Sequence, residues 1–402
     1  MALDNLVIYQ IFPDRFNNKD NHKPQYKTWS EKPTRWNHFG GNLKGIEEKV
    51  PYLKSLGINC IYLTPIFEAC SPHKYDTKDY MKIDPNFGSM QDFQDLLETL
   101  HNNNIQLILD GVFNHTGDHF WAFEDCEMNG KKSRYWDWYR ISDYPIRRFP
   151  KPNYENAGIY YLPKFNHNNS EVVSYVKQVV RFWSLMGIDG WRFDMSWCMN
   201  PEFWSEITTE ARRINQNILF IGEYWDNPSN MLREYPFDGT MDYIFRTNVI
   251  DLLKGKIKPD LFSRNLSYKS DMRFVKCWNM LGSHDTSRIR GIFHNDEKLR
   301  MAFTLMFTFP GTPVIYYGDE IGMFGGKDPD CRRTFNWNEK TWNLEIYDHV
   351  KNLCDFRRDI GNIESFQFLK SSGSKLSYLI ESQSKSYVVN VNLDECSTNI
   401  GG

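Results

Sequence analysis

The chain has 402 residues, 41% of them hydrophobic, which suits one large α/β barrel with an appendage or two ordinary domains. Its formal net charge of −3 gives no long-range attraction to nucleic acid or anionic lipid. Aromatic residues make up 16% of the chain, with 13 Trp, a content that fits core packing and sugar stacking equally well. The first residues, Met1 to Asn5, lack a basic start and an apolar run, so no export leader is expected. The longest apolar stretch, 301–317, is broken by Pro310 and Pro313 and is too short to span a bilayer. Eight cysteines occur without a Cys-x-x-Cys pair, and free thiols in a cytoplasmic protein are expected. Two glycosylation-type triplets, at Asn168 and Asn265, are then expected by chance.

Along the chain, short apolar runs alternate with amphipathic segments. Residues 6–12 read as a strand, 43–56 as a helix stopped by Gly57, and 58–63 as a second strand. A helix at 90–100 and a third strand at 105–109 follow. The rhythm then breaks over 116–166, which is rich in Trp, Tyr, Pro and charge and carries no clear helix. It resumes with a helix at 172–185, a strand at 188–193, a helix at 201–214 and a strand at 218–221. Later strands are expected at 241–245, 274–280 and 313–316. Eight strands with crossover helices predict a (β/α)₈ TIM barrel. The barrel is assigned to 1–115 and 167–360, with 116–166 an excursion after its third strand. Beyond the helix at 345–360, strands at 366–369, 376–380 and 387–393 predict a short antiparallel C-terminal β region in 361–402. That piece is too small to stand alone and must lean on the barrel.

In such a barrel, functional groups sit at the carboxyl ends of strands. Strand three ends in Asp110-Gly111-Val112-Phe113-Asn114-His115, and strand four in Gly190-Trp191-Arg192-Phe193-Asp194. Strand five ends in Gly222-Glu223-Tyr224-Trp225, and strand seven in Ser283-His284-Asp285. One acid at a strand end is as easily a solvated loop group as a catalyst. Four such ends converging on one face point to an active site.

These four segments resemble, in order and spacing, the four short conserved regions of the α-amylase superfamily of glycoside hydrolases. The resemblance runs from Gln10-Ile11-Phe12-Pro13-Asp14-Arg15-Phe16 to Gly311-Thr312-Pro313-Val314-Ile315-Tyr316-Tyr317-Gly318-Asp319-Glu320. It implies a retaining hydrolase with Asp194 as nucleophile, Glu223 as general acid/base and Asp285 as the third carboxylate, which grips ring hydroxyls. Arg192 lies two residues before Asp194, hence on the same face of the strand. His73, Tyr75, His115 and His284 match contacts to the sugar being cleaved, and Asp328 with Arg332 a pair that binds the next sugar toward the non-reducing end. Asp110 and Asn114 are expected to brace the loop after strand three.

A fifth segment, Leu162-Pro163-Lys164-Phe165-Asn166, resembles the Met-Pro-Lys-Leu-Asn signature of neopullulanases, cyclomaltodextrinases and maltogenic amylases. This branch implies α-1,4 and also α-1,6 cleavage in maltooligosaccharides, cyclodextrins or pullulan-like glucans, with some transglycosylation. An oligosaccharide α-1,6-glucosidase, a glucan transferase and a non-catalytic relative remain alternatives. Those enzymes carry an extra N-terminal β-domain, which is expected to be absent here because the barrel starts almost at Met1. Met195-Ser196-Trp197 and Asp226 depart from the branch pattern on the leaving-group side.

With that domain absent, the excursion is expected to wall the cleft alone. Trp121, Trp136, Trp138 and Tyr139 are its candidate sugar platforms, with internal packing as the alternative. Relatives bind calcium after strand one. Here Lys23, Pro24 and Asn42 stand where ligands are expected, so that site is expected to be empty. No metal, cofactor, nucleic acid or membrane is expected as a partner, only an α-glucan or maltooligosaccharide substrate.

Overall fold

The computed structural model describes residues 5–20, 22–383 and 385–402. Met1 to Asp4, most of the stretch read as lacking a leader, lie outside the described residues. Eight parallel strands close into a barrel: Ile8–Ile11, Cys60–Leu63, Gln106–Gly111, Gly190–Phe193, Leu219–Gly222, Gly239–Asp242, Trp278–Met280 and Thr312–Tyr316. Neighbours in sequence are neighbours in the barrel. The first strand closes it by pairing with the eighth, Ile8 against Val314, and with the second, Ile8 against Cys60. These are the eight expected strands, with their ends moved by up to about four residues.

Each crossover helix has a local cause. Ser89 and Asp92 form a reciprocal capping box at the start of Met90–Asn102. Asn200 caps Pro201–Ile214, whose first residue is a proline with no N–H to lose. The helix expected over 43–56 is two, Leu43–Glu48 and Val50–Leu56, because Pro51 cannot donate into a continuous ladder. Gly57 ends the second piece with a left-handed φ of 91°. The strand expected at 241–245 stops at Asp242, whose carboxylate accepts the Phe245 N–H and starts the helix Tyr243–Leu253.

Two apolar layers result. The larger one lies between strands and helices and contains Tyr9, Leu107, Trp191, Phe193 and Phe220. The smaller fills the barrel with alternate residues of the same strands, among them Ile8, Tyr62, Ile108, Ile221, Trp278 and Met280.

Three departures from expectation have physical reasons. An antiparallel pair, Phe67–Ala69 with Thr77–Ile83, follows the second strand and was not anticipated; it holds the His73–Tyr75 loop between its arms. The excursion does contain a helix, Trp121–Asn129, whose apolar side is supplied by Ala122, Phe123 and Cys126. Its low apolar periodicity hid it. The C-terminal sheet has four strands, Ser365–Ser372, Lys375–Glu381, Ser386–Asn392 and Ser397–Gly401. The fourth is a polar edge strand without a buried face. The sheet leans on the barrel through Phe309, which packs against Phe366, Phe368 and Tyr378.

Candidate active site

The side chains pointing into the barrel are apolar over most of its length and turn polar at its carboxyl end. Gln10 follows Ile8, Asp110 follows Ile108, and Glu223 follows Ile221, each by two residues along its strand. Arg192 and Asp194 continue the same alternation on strand four. Arg192 is fully buried and touches three carboxylates. Its Nη1 is 2.9 Å from Asp110 Oδ1 and 3.0 Å from Asp194 Oδ1, and its Nη2 is 2.9 Å from Glu223 Oε2. One guanidinium therefore spans the gap between Asp194 and Glu223 and limits their separation.

Three acids around one cation leave the cluster short of positive charge. Burial raises the Asp194 carboxyl well above the ordinary range, and Glu223 adds to that while Arg192 opposes it. Burial also raises Asp110, against the pull of Arg192 and of two tyrosine hydroxyls. Those hydroxyls are Tyr62 Oη at 2.5 Å and Tyr75 Oη at 2.8 Å, both donating to Asp110 Oδ2. Asp110 is thus spent on holding Arg192, Tyr62 and Tyr75 in place, rather than the loop after strand three.

Glu223 is aimed by two donors. The Met195 N–H reaches Oε2 at 2.8 Å and the Trp225 indole N–H reaches Oε1 at 2.8 Å. Met195 adopts a left-handed φ of 45°, a conformation that costs a side-chain-bearing residue about 1–3 kcal/mol. The turn it makes directly after Asp194 presents its N–H to Glu223. The Trp225 ring lies flat on Tyr243, with centroids 3.6 Å apart and planes 9° apart, so the indole donor is fixed.

A second chain of contacts reaches Asp285. Gln10 Nε2 lies 2.8 Å from His284 Nδ1. An amide nitrogen donates, so Nδ1 accepts and the ring proton resides on Nε2. That N–H faces Tyr75 Oη at 2.6 Å and Asp285 Oδ2 at 3.0 Å. Tyr75 donates its own hydroxyl hydrogen bond to Asp110 and stacks on His284 at 5.4 Å and 10°. Burial lowers His284 well below the usual histidine range, with Arg332 and Arg192 reinforcing it, which keeps the ring neutral. Asp285 keeps 30% of its side chain open and has Arg332 Nη2 at 3.4 Å. Withdrawal from water raises its carboxyl, opposed by Arg332 and then Arg192.

The remaining predicted residues join the same neighbourhood. His115 is buried, its Nε2–H donates to the Tyr75 carbonyl at 3.1 Å, and burial lowers it to about 4. His73 Nδ1 accepts the Tyr75 N–H at 3.1 Å, and burial lowers it too. Arg332 Nε bonds the His284 carbonyl at 2.8 Å and pairs with Asp328 Oδ1 at 3.2 Å. Among the described residues, no group of three or more His, Cys, Asp or Glu is arranged as a metal set. Sequence reasoning missed Gln10, Tyr62 and the Met195 N–H. Gln10 and Tyr62 were findable by counting alternation inward along their strands; the Met195 contact depends on a backbone turn that carries no residue signature.

The segment Leu162 to Asn166 closes the excursion beside this site. The Lys164 backbone pairs antiparallel with that of His115, and the Phe165 N–H donates to the Asn114 carbonyl at 3.1 Å. Two of the proposed sugar platforms of the excursion, Trp138 and Tyr139, are packing residues instead. Trp138 and Tyr139 are buried, and the Trp138 indole N–H is bonded to Glu171 at 2.9 Å. Trp121 meets Tyr135 and Trp138 edge-on yet stays exposed, and Trp136 packs partly against the core. In the loop after strand one, Lys23 Nζ bonds Asn86 Oδ1 at 3.1 Å. The Asn42 amide is committed to the Lys19 carbonyl at 2.8 Å and the Gly45 N–H at 2.7 Å.

Fold and site together define a barrel glycoside hydrolase, with its acids gathered at the carboxyl end of the strands. Residues 10–360 match the model of the family described as alpha amylase, catalytic domain. The chain belongs to the α-amylase family. It is 41% identical to a cyclomaltodextrinase of Thermoanaerobacter pseudethanolicus over 96% of this chain and 70% of that one. It is 41% identical to neopullulanase 2 of Thermoactinomyces vulgaris, over 90% of this chain and 64% of that one. A maltogenic alpha-amylase of Bacillus acidopullulyticus is 42% identical over 88% of this chain and 62% of that one. The chain thus spans about two thirds of the length of these relatives. Among solved structures, cyclic alpha-maltosyl-(1→6)-maltose hydrolase from Arthrobacter globiformis, in complex with that cyclic sugar, superposes with a TM-score of 0.93. It is 32% identical, and the match covers 100% of this chain and 98% of that one.

Proposed function

We propose that the protein is a retaining α-glucan hydrolase that cleaves α-1,4, and also α-1,6, bonds in maltooligosaccharides, cyclodextrins or pullulan-like glucans. The observation that carries this is the single buried guanidinium of Arg192 gripping both Asp194 and Glu223. Glu223, aimed by Met195 and Trp225, gives its proton to the glycosidic oxygen as the bond to the anomeric carbon breaks. The Asp194 carboxylate, held in place by Arg192, attacks that carbon and forms a glycosyl ester. Water then gives its proton to Glu223 and its oxygen to the sugar, releasing Asp194. Asp285, steadied by His284 and Arg332, accepts hydrogen bonds from the hydroxyls of the distorted ring. His73, Tyr75, His115 and His284 line the sugar being cleaved, and Asp328 with Arg332 holds the next one. A sugar acceptor in place of water gives transglycosylation by the same second step.

The names of the relatives support the substrate class, and one of them is an intracellular maltogenic amylase of Bacillus subtilis. A cytoplasmic location fits eight free cysteines. No helix among the described residues is long and apolar enough to cross a membrane.

The test is the anomeric form of the first product from maltotriose, read by NMR before mutarotation. An α product is expected, and a first-formed β product overturns retention. The carboxyl groups of Asp194 and Glu223 should stand about 5–5.5 Å apart, the spacing of a double displacement, as crystallography of the protein with a bound inhibitor would measure.

A further inference from the structure

Three exposed aromatic rings of this protein are joined in one series through a fourth that is half-buried. Phe149 is 66% exposed and touches Tyr160 at 4.8 Å between centroids. Tyr160 touches Tyr161 at 5.4 Å, and Tyr161 touches Trp36, itself 58% exposed, at 5.6 Å. The first three rings belong to the excursion. Trp36 belongs to the loop between the first strand and the helix Leu43–Glu48. The series therefore crosses from one wall of the barrel mouth to another.

Its supports are firm. The Asp118 N–H donates to the Tyr161 carbonyl at 3.1 Å, and the Tyr154 hydroxyl is bonded to the Tyr160 carbonyl. The turn carrying Trp36 is held by the Thr34 N–H on Asn37 Oδ1 at 2.7 Å and by buried Arg15 on the Asn37 carbonyl at 2.8 Å.

The series is also continuous with the cleft. Arg35, next to Trp36, has its Nε 3.7 Å from Asp328 Oδ2. Asp328 pairs with Arg332, and Arg332 with Asp285. A line of polar groups that can hold hydroxyls thus leads from the catalytic carboxylates to a series of partly open aromatic rings set at angles to one another. Leaving contiguous large rings in water is costly, and such patches mark contact sites. Pyranose rings offer an apolar C–H face to an aromatic ring and hydroxyls to flanking charges, which is the composition found here.

We propose that Trp36, Tyr161, Tyr160 and Phe149 form a platform for the non-reducing end of longer α-glucans, beyond the sugar held by Asp328 and Arg332. This rests on the reading of the cleft given above, which sets its direction. The platform lengthens the binding site without touching the reacting bond, so it acts on KM for long chains.

The experiment compares kcat/KM for maltotriose and for a linear α-1,4 decasaccharide in the wild type, Trp36→Ala and the double variant Phe149→Ala/Tyr160→Ala. Retardation by soluble amylose in affinity electrophoresis is read in parallel. Each variant is expected to lose about three- to tenfold in kcat/KM on the decasaccharide, through KM, as loss of ring stacking implies. Maltotriose values should stay within about twofold, since that substrate ends before the platform. Retardation by amylose should weaken. Equal losses on both substrates, no loss on the long one, or a loss that sedimentation traces to the break-up of a dimer would each overturn the platform. A wild type inactive on both substrates would sink the hydrolase reading instead; the platform then stands if amylose retardation is lost in Trp36→Ala and falls if it is kept.

Discussion

Asp242 and Asp194 both stand at the carboxyl end of a barrel strand, both are buried, and their surroundings differ in charge. Asp242 has a cation of its own. Lys269 Nζ lies 2.7 Å away, the Tyr268 hydroxyl donates at 2.7 Å, and the Phe245 N–H donates at 2.9 Å. Lys269 is fully buried and spends another proton on Asn279 at 2.7 Å. Asp194 instead shares one guanidinium with Asp110 and Glu223 and lies beside Asp285, which opens to the cleft. A buried acid with a private cation and filled hydrogen bonds is a structural element. Acids that outnumber their cation and look toward an open cleft are held in a state that a reaction relieves. Burial alone does not separate the two cases; the balance of charge does.

The largest effects should come from breaking the second kind of acid. Asp194→Ala and Glu223→Gln should each lower kcat by roughly 10⁴-fold or more, with little change in melting temperature. Steady-state rates on maltotriose together with thermal melts check this. Losses of only a few fold in folded variants would remove these residues from the mechanism. Breaking the first kind should invert the pattern. Lys269→Met leaves Asp242 buried without its cation, and the expected cost is about 3–5 kcal/mol of stability. Activity per folded molecule should hold, as active-site titration against denaturant midpoint would show.

Glu320 sharpens the comparison because it has no cation partner among the described residues. Its Oε1 accepts the Tyr9 hydroxyl at 2.7 Å and the Tyr52 hydroxyl at 2.6 Å, while Oε2 finds no partner among the described residues. Burial pushes its carboxyl up from 4.5 to about 7. The folded state therefore holds a proton that the unfolded state releases. Stability from this group is full below pH 4.5 and is lost as pH rises through 7. Glu320→Gln, which cannot ionise, should flatten that decline and gain on the order of 3 kcal/mol at pH 8 relative to pH 4.5. Denaturant midpoints of both proteins across that range measure it. Parallel pH curves would mean that Glu320 ionises as freely folded as unfolded.

The order of legibility follows from which forces are local. Strand ends such as Asp110, Asp194 and Glu223 could be placed from sequence because a two-residue alternation fixes the face, and a barrel fixes which end carries chemistry. Helix boundaries at Pro201 and Gly57 were equally local. The hairpin that carries His73 and Tyr75 was not, since its short arm, Phe67–Ala69, has too few residues to show a period. The excursion helix was hidden because its aromatic residues pack in several directions at once. The same fact misdirected the choice of sugar platforms: Trp138 and Tyr139 are bulky and aromatic, but only a three-dimensional count of neighbours distinguishes a core ring from an open one. Trp36 and Phe149 have no sequence signal at all.

The smallest expected effect is none, and it concerns the loop after strand one. A calcium ion takes six or more oxygens, and each must be free to turn inward. Two of the positions where relatives supply ligands are engaged otherwise here. The Lys23 ammonium is a cation that would repel the ion, and it is bonded to Asn86. The Asn42 side chain caps the helix Leu43–Glu48 through the Gly45 N–H and holds the Lys19 carbonyl, so both ends of its amide are spent on the fold. Recruiting Asn42 oxygen would uncap that helix, at a cost of about 1 kcal/mol. A chelator should therefore leave the melting temperature and kcat/KM unchanged, and added calcium should raise neither. A melting temperature that falls on chelation and recovers with calcium, but not with magnesium, would show that oxygens elsewhere assemble a site. Repeating the chelation on Asn42→Ala would then tell whether this loop contributes to it.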